Sequence, residues 1–254
     1  MMNSTQRNQI FGLKLHQQHN MNNLVNLIEN HEHQKYNYLV TPNVDHVLRI
    51  KGGTNSQFHR AYDGADYVVC DSRILKLVSK LYKHPIKHVI PGSDLTKLLF
   101  ENSLSKKRVM VIGGQNDDVE TLYNLFNVKH ISLYSPPFGF IEIDNEVEKC
   151  INAIENENPD IVFLAVGSPR QEVLAMKLKE THFRGFALCV GASIDFLVGR
   201  QKRAPQIVQL LHLEWLYRML SQPKRLLGRY LKSFIPLTKL IIDDFQNGKL
   251  RKYR

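Results

Sequence analysis

Through the first two hundred residues, compact apolar runs alternate with stretches whose apolar positions recur every three or four residues. The runs are Phe11–Leu15, Tyr38–Val40, Tyr67–Cys70, His88–Ile90, Val109–Ile112, His130–Leu133, Ile161–Val166 and Phe186–Val190. Several are unbroken rather than alternating, as in strands buried on both faces of a parallel sheet. Helical spacing fills the intervals at Met21–Glu29, Ile74–Leu81, Leu95–Ser103, Val119–Phe126, Val147–Glu157 and Gln171–Lys179. This rhythm predicts a doubly wound α/β domain with a mostly parallel sheet and helices on both faces.

The pattern changes near Arg200, so the expected division is an α/β domain over 1–199 and a helical appendage over 200–254. Residues Gln201–Tyr230 hold the single tryptophan, Trp215, and apolar positions at helical intervals with a wide apolar face. Pro205 suits a first helical turn and Pro223 is expected to end the run. Charge sharpens the boundary. The formal excess of +10 lies wholly from Arg200 onward, where 13 Lys and Arg face 3 Asp and Glu; residues 1–199 carry 21 of each sign. Such asymmetry points to an anionic partner, either a membrane surface or nucleic acid. Few aromatics interleave with these charges and no nucleic-acid motif occurs, so no nucleic acid is expected. No run is long enough to span a bilayer and the N-terminus lacks a signal-peptide core. The three cysteines show no paired spacing. The expectation is a cytoplasmic protein that touches the inner face of the membrane.

In open α/β sheets ligands bind beyond the carboxyl ends of the strands. The residues following the predicted strands are Thr41-Pro42-Asn43, Asp71-Ser72-Arg73, Pro91-Gly92-Ser93-Asp94, Gly113-Gly114-Gln115, Gly167-Ser168-Pro169-Arg170-Gln171-Glu172 and Gly191-Ala192-Ser193-Ile194-Asp195. Glycines opening helices offer free N–H groups to phosphate, which suggests a nucleotide or sugar-nucleotide cleft. Gly113-Gly114 is neither a dinucleotide fingerprint nor a P-loop, so no cofactor is expected. Asp71 has two readings: an N-cap for the helix from Ile74, or a general base. Ser168 and Pro169 read as a cap and first turn, leaving Arg170, Gln171 and Glu172 for a ligand. The loop Tyr134–Phe140 either stiffens a turn or stacks on a ring. The histidines lack metal-ligand spacing and no D-x-D pair occurs, so no metal is expected.

Taken together, these residues resemble the WecG/TagA/CpsF family of bacterial glycosyltransferases. The likeness rests on AVGSPRQE at Ala165–Glu172, RAP at Arg203–Pro205 and LEWLYRMLSQPKRLLGRY at Leu213–Tyr230. TPNVDHV at Thr41–Val47, PGSDL at Pro91–Leu95, SPPFGF at Ser135–Phe140 and VGASIDFLVG at Val190–Gly199 add to it. The resemblance implies a Rossmann-like domain with a helical appendage. It also implies an inverting, metal-independent hexosyltransferase. Such an enzyme moves a sugar from a UDP-sugar to a polyprenyl-diphosphate-linked glycan in wall-polymer, capsule or exopolysaccharide synthesis.

By the same resemblance Asp71 is the catalytic base, with Thr41 and Asn43 at the active-site edge. Gln171, Arg170, Gly167, Gly113, Asp195 and His88 fall on the nucleotide-sugar side. Arg218, Arg225 and Arg229 match appendage residues that reach the acceptor diphosphate. Two departures stand out: Asp71 is followed by Ser72 rather than glycine, and His88 occupies a position where the family commonly has arginine. They lean the donor toward a hexose for exopolysaccharide. A scaffold subunit of a polysaccharide assembly without activity and a basic nucleic-acid-binding α/β protein remain alternatives, and the appendage's apolar face can dock on its own body or on a second copy. Deletion of Ser233–Arg254 is expected to leave a folded body, and Phe234, Ile235 and Leu237 are expected to enter the membrane.

Overall fold

The computed structural model describes residues 7–32, 34–53, 56–202, 204–205, 208, 217 and 223–248. The chain opens with a two-stranded antiparallel hairpin, β1 (Arg7–Ile10) and β2 (Leu13–His16). Its turn is Phe11-Gly12, both at positive φ, and Phe11 is buried. The predicted strand Phe11–Leu15 is therefore half turn. Helix α1 (Met21–Glu29) matches its predicted bounds, with the Asn20 side chain accepting from the Asn23 N–H at 2.9 Å.

The main sheet is built from β3 (Asn37–Val40), β4 (Tyr67–Val68), β5 (Arg108–Ile112), β6 (His130–Tyr134), β7 (Ile161–Leu164) and β8 (Phe186–Cys189). Its order is β4-β3-β8-β7-β5-β6 and every neighbouring pair is parallel. Between the strands lie α2 (Val44–Lys51), α3 (Ser56–Asp63), α4 (Arg73–Ser79), α5 (Gly92–Asn102), α6 (Asp118–Phe126), α7 (Asp144–Glu157), α8 (Arg170–Lys177) and α9 (Ser193–Leu197). The α/β architecture expected from the pattern is the one observed.

The unbroken apolar runs follow from a sheet covered on both sides. Alternate residues enter two separate cores. Tyr38, Val40, Met110, Ile112, Val162, Leu164, Ala187 and Cys189 join one, with α2, α3, α4, α7, α8 and the hairpin. Leu39, Val109, Val111, Ile161, Phe163, Phe186 and Leu188 join the other, with α1, α5, α6 and α9.

Two expectations are corrected. His88–Ile90 is not a strand: the segment makes one ladder-like bond, Ile90 N–H to Cys70 O at 2.7 Å, and then turns into α5. Pro91 lacks an N–H and follows at once, so no ladder can extend there. The run Tyr67–Cys70 is regular strand only over Tyr67–Val68, and beyond it single bonds such as Val69 N–H to Val40 O at 3.1 Å still follow β3. Pro223 opens a helix, α10 (Pro223–Gln246), and most of the run that it was expected to end lies outside the described residues.

Helix α10 docks on the body. Leu237 and Leu240 belong to the core that includes Phe11 and Tyr82, and the Tyr82 hydroxyl donates to the buried Asp244 carboxylate at 2.9 Å. These positions recur at three- and four-residue steps, so they line one face. Burying each leucine contributes roughly 2 kcal/mol. Leu237 therefore faces the core and not a membrane, and the Phe234 side chain lies outside the described ones. Between the hairpin turn, Lys51, the Tyr82–His84 loop and the end of α10 is a cleft of about 330 Å³.

Candidate active site

Connections out of β5 and β7, which are neighbours, run in opposite directions: β5 leads outward to β6, while β7 leads inward to β8. This is the switch point of the sheet, where a crevice opens beyond the strand ends. Its two walls are the turn Gly113-Gly114-Gln115 and the segment Ala165–Arg170.

Both glycines are required by the geometry. Gly113 (φ +104°) lies so close to the neighbouring strand end that a Cβ would sit 3.1 Å from the Ala165 carbonyl. A Cβ on Gly114 (φ +84°) would sit 2.6 Å from Asp118 Oδ2. The same Asp118 oxygen accepts from the Gln115 N–H at 2.8 Å, folding the turn onto the start of α6. The Ser135 hydroxyl donates to Gly114 O at 2.8 Å and ties the β6 loop to this turn. That loop is anchored at its other end by buried Phe140, yet it presents Phe138 at 93% exposure. The Arg170 guanidinium lies 4.9 Å from the Phe138 ring centroid, so the loops after β6 and β7 meet over the crevice.

On the far side of β7, the segment Gly167–Glu172 packs inward. Gln171 is buried; its Oε1 accepts from the Gly191 N–H at 2.9 Å and its Nε2 donates to Glu172 Oε1 at 2.9 Å. Gln171 thus shapes the turn after β8, and both ends of its amide are already engaged. Ser168 does not cap α8. Pro169 occupies the cap position, Ser168 is one residue too early, and its buried hydroxyl has no hydrogen-bond partner among the described residues. Glu172 is wholly buried and its Oε2 likewise has no partner among the described residues. Burial, aided by this carboxylate, holds the Cys189 thiol well above its ordinary value.

Asp71, Thr41 and Gly92 form a second group at the same edge, beyond β3 and β4. The Asp71 N–H donates to Pro42 O at 3.1 Å, continuing the β3–β4 pairing. Asp71 Oδ1 accepts from the Gly92 N–H at 2.9 Å, at the N-terminus of α5, whose dipole favours a carboxylate there. The cap of α4 is Ser72, whose Oγ accepts from the Leu75 N–H at 3.2 Å. Asp71 is therefore not the cap for the helix from Ile74; it is fixed by a different helix. Thr41 is buried and donates to Cys189 O at 3.2 Å. A Cβ on Gly92 would lie 3.2 Å from Thr41 Oγ1, so glycine is what lets α5 begin this close to β3. Asn43 caps α2, accepting from the His46 N–H at 3.4 Å. His46 Nδ1 and the Tyr62 hydroxyl share a buried contact of 3.0 Å beneath it.

The remaining candidates separate. Asp195 Oδ1 accepts from Arg200 Nη2 at 2.7 Å and from Nε at 3.0 Å, and its Oδ2 accepts from Gln201 Nε2 at 3.2 Å. His88 is exposed on the loop leading to Pro91. Arg218 lies outside the described residues; Arg225 and Arg229 fall in the half of α10 described by its backbone alone. Sequence reasoning missed Arg200, which also pairs with both oxygens of Asp118. Its signal was present: an arginine five residues beyond Asp195, where the charge balance of the chain changes.

The family model described as "Glycosyl transferase WecG/TagA/CpsF family" matches residues 8–249. The chain is 32% identical over 193 residues to an N-acetylglucosaminyldiphosphoundecaprenol N-acetyl-beta-D-mannosaminyltransferase of Bacillus spizizenii, covering 74% of this chain and 72% of that one. It is 31% identical over 185 residues to the Staphylococcus aureus (strain MW2) protein of the same name, covering 70% and 71%.

Proposed function

Because the chain belongs to the glycosyl transferase WecG/TagA/CpsF family, we propose that it transfers a sugar with inversion from a UDP-sugar to a polyprenyl-diphosphate-linked glycan, without a metal. The observation that carries this reading is Asp71, fixed by the Gly92 N–H beside Thr41 at the carboxyl edge of the sheet. In the proposed mechanism Asp71 accepts the proton of the acceptor hydroxyl as that oxygen attacks the anomeric carbon. UDP leaves from the opposite face, and the leaving diphosphate collects negative charge. Helix N-termini at the crevice and basic side chains stabilise it. The two-glycine turn suits the diphosphate, and Phe138, with Arg170 on one face, suits the uracil ring.

The names of the relatives favour an N-acetylmannosaminyl donor and an N-acetylglucosaminyl-diphospholipid acceptor over a simple hexose. We assign Thr41 and Asn43 to the shape of the acceptor edge, and Gln171, Gly167, Gly113 and Asp195 to that of the donor edge. His88 is assigned to donor contact, and Arg218, Arg225 and Arg229 to the acceptor diphosphate.

No described helix is long and apolar enough to cross a membrane. Helix α10 nevertheless turns Ile235, Ile242 and Phe245 to solvent, and steps of seven and three place them along one ridge opposite Leu237 and Leu240. This ridge supports contact with the inner face of the cytoplasmic membrane, where a polyprenyl acceptor resides. Each nearby basic residue adds about 1 kcal/mol on an anionic surface before screening.

The deciding experiment offers a panel of UDP-sugars with a short-chain lipid-diphosphate N-acetylglucosamine acceptor and follows UDP release, with and without EDTA. Acceptor-dependent release that EDTA leaves unchanged is expected. Release abolished by EDTA overturns metal independence, and release from no UDP-sugar overturns the donor assignment.

A further inference from the structure

Arg200 is the first residue of the basic segment, and its fork is shared between two carboxylates from different loops. Nη1 and Nη2 pair with Oδ1 and Oδ2 of Asp118, the latter bond at 2.8 Å. Nη2 and Nε pair with Asp195. Asp118 is 1% exposed and stands at the start of α6, directly behind the Gly113-Gly114-Gln115 turn. Asp195 stands in the first turn of α9, after β8. Gln201 adds two further ties to Asp195: its N–H donates to the backbone carbonyl at 3.0 Å and its amide to the carboxylate.

This arrangement joins three pieces of chain: the turn after β5, the exit from β8 and the start of the basic segment. The turn after β5 is set by Asp118, whose Oδ2 both receives the Gln115 N–H and packs against the Gly114 α-carbon. A buried carboxylate in that place requires a partner, and Arg200 is the cation that meets both of its oxygens. The second carboxylate on the same guanidinium fixes the exit from β8. The chain that continues into the basic segment is thereby held at the rim of the switch-point crevice.

We propose that Arg200 is a positioning residue for the donor diphosphate: through Asp118 it holds the two-glycine turn in its diphosphate-accepting shape, and through Asp195 it anchors the start of the basic segment beside that turn. The proposal rests on the UDP-sugar reading above. Arg200 touches no reacting atom in it. Its charge matters as well as its shape, since it is paired with both carboxylates that would otherwise face an incoming diphosphate. Lysine is a point charge on a flexible stem and cannot serve both carboxylates in this geometry.

The test compares wild type, Arg200→Gln, Arg200→Lys and the double variant Asp118→Asn/Arg200→Gln. UDP affinity is measured by calorimetric titration, donor and acceptor KM and kcat by UDP release, and folding by thermal melts. The double variant removes the buried charge with its partner, so it remains informative if Arg200→Gln alone unfolds. Because a misplacement of about 1 Å at such a site costs on the order of 10²-fold, UDP affinity should fall 10- to 100-fold in Arg200→Gln and in the double variant. The loss should appear mainly in donor KM, with kcat changing less than about threefold and Arg200→Lys recovering only part. Wild type that binds UDP, with folded variants that bind it equally well, overturns the role of Arg200 and leaves the donor reading standing. Wild type that binds no UDP overturns the donor reading and this inference with it. A fall in kcat at unchanged donor KM also overturns the positioning role.

Discussion

Asparagine at position 71 separates the base role proposed for this side chain from its observed tie to α5. The Asp71→Asn variant keeps a side-chain oxygen where Oδ1 accepts the Gly92 N–H at 2.9 Å, so the start of α5 stays pinned beside Thr41. It removes the group proposed to take the acceptor proton. General-base assistance is worth on the order of 10²–10⁴ in rate, or about 3–5 kcal/mol of barrier. The expected result is a kcat lower by that factor, UDP affinity within twofold of wild type, and a Tm moved by less than about 1 °C. Asp71→Ala removes both tasks. Losing a cap-like carboxylate costs about 1 kcal/mol, which in a chain of this length lowers Tm by roughly 2–4 °C, on top of the same loss of turnover. Turnover is read by UDP release at saturating substrates and stability by thermal melts on the same preparations. If Asp71→Asn turns over at the wild-type rate, the base is elsewhere. If activity falls only in Asp71→Ala, and only as far as its stability does, Asp71 is a structural tie for α5.

Gly114→Ala should be destabilised by about 1–3 kcal/mol and lose UDP affinity, since the new Cβ would meet Asp118 Oδ2 at a φ that alanine resists; urea melts and UDP titration check both. Leu240→Ala should cost about 2–4 kcal/mol in the same melts, because Leu240 lies in the core beside Leu237. An unchanged melt would mean that α10 is not docked. Replacing Phe245 and Ile242 with serine should leave stability within about 0.5 kcal/mol while weakening flotation with anionic liposomes, since both side chains are exposed. Undiminished flotation would clear the ridge of any membrane role. Burial pushes the Cys70 and Cys150 thiols from 9.0 up to about 12. Unfolded thiols ionise near 9 while the folded ones keep their protons, so stability is full below that pH and falls between 9 and 12. Each thiol contributes up to about 1.4 kcal/mol per pH unit, and Cys150→Ala should flatten the slope of urea melts taken at pH 8 to 10.5.

What could be read from the sequence followed the strength of the periodic signal. The central strands β3, β5, β7 and β8 are buried on both faces, so their sequences are unbroken apolar runs and their predicted bounds fall within two residues of those observed. His88–Ile90 imitates such a run, but its apolar residues serve a loop that crosses the end of β4, and only Pro91 warned of it. Helices α2 and α3 went unpredicted because each has only 8 residues and buries three of them, His46 and Tyr62 included, so the apolar period is too short to register. At the site, residue types were legible and partners were not. Asp71 read as a cap or a base; nothing in VVCDSR says that its fixed oxygen meets Gly92, twenty-one residues on. Gln171 read as a ligand group because amides at strand ends often are, and its burial against Gly191 depends on how α8 meets the turn after β8.

The order of the strands also gives a reason for the charge asymmetry of the chain. β8 is the last strand in sequence but lies at the middle of the sheet, with β3 and then β4 on one side and β7 and then β5 on the other. The Asp71 group stands at the ends of β3 and β4, and the two-glycine crevice at the ends of β5 and β7. A segment leaving β8 through α9 therefore emerges between them, and Arg200 fixes its first residues there. If the proposed donor and acceptor sites are right, cations serving both would need that central exit. Had β8 been an edge strand, the same basic segment would reach one half of the site only. The chain that continues past Arg200 is thus led out by topology between the two groups.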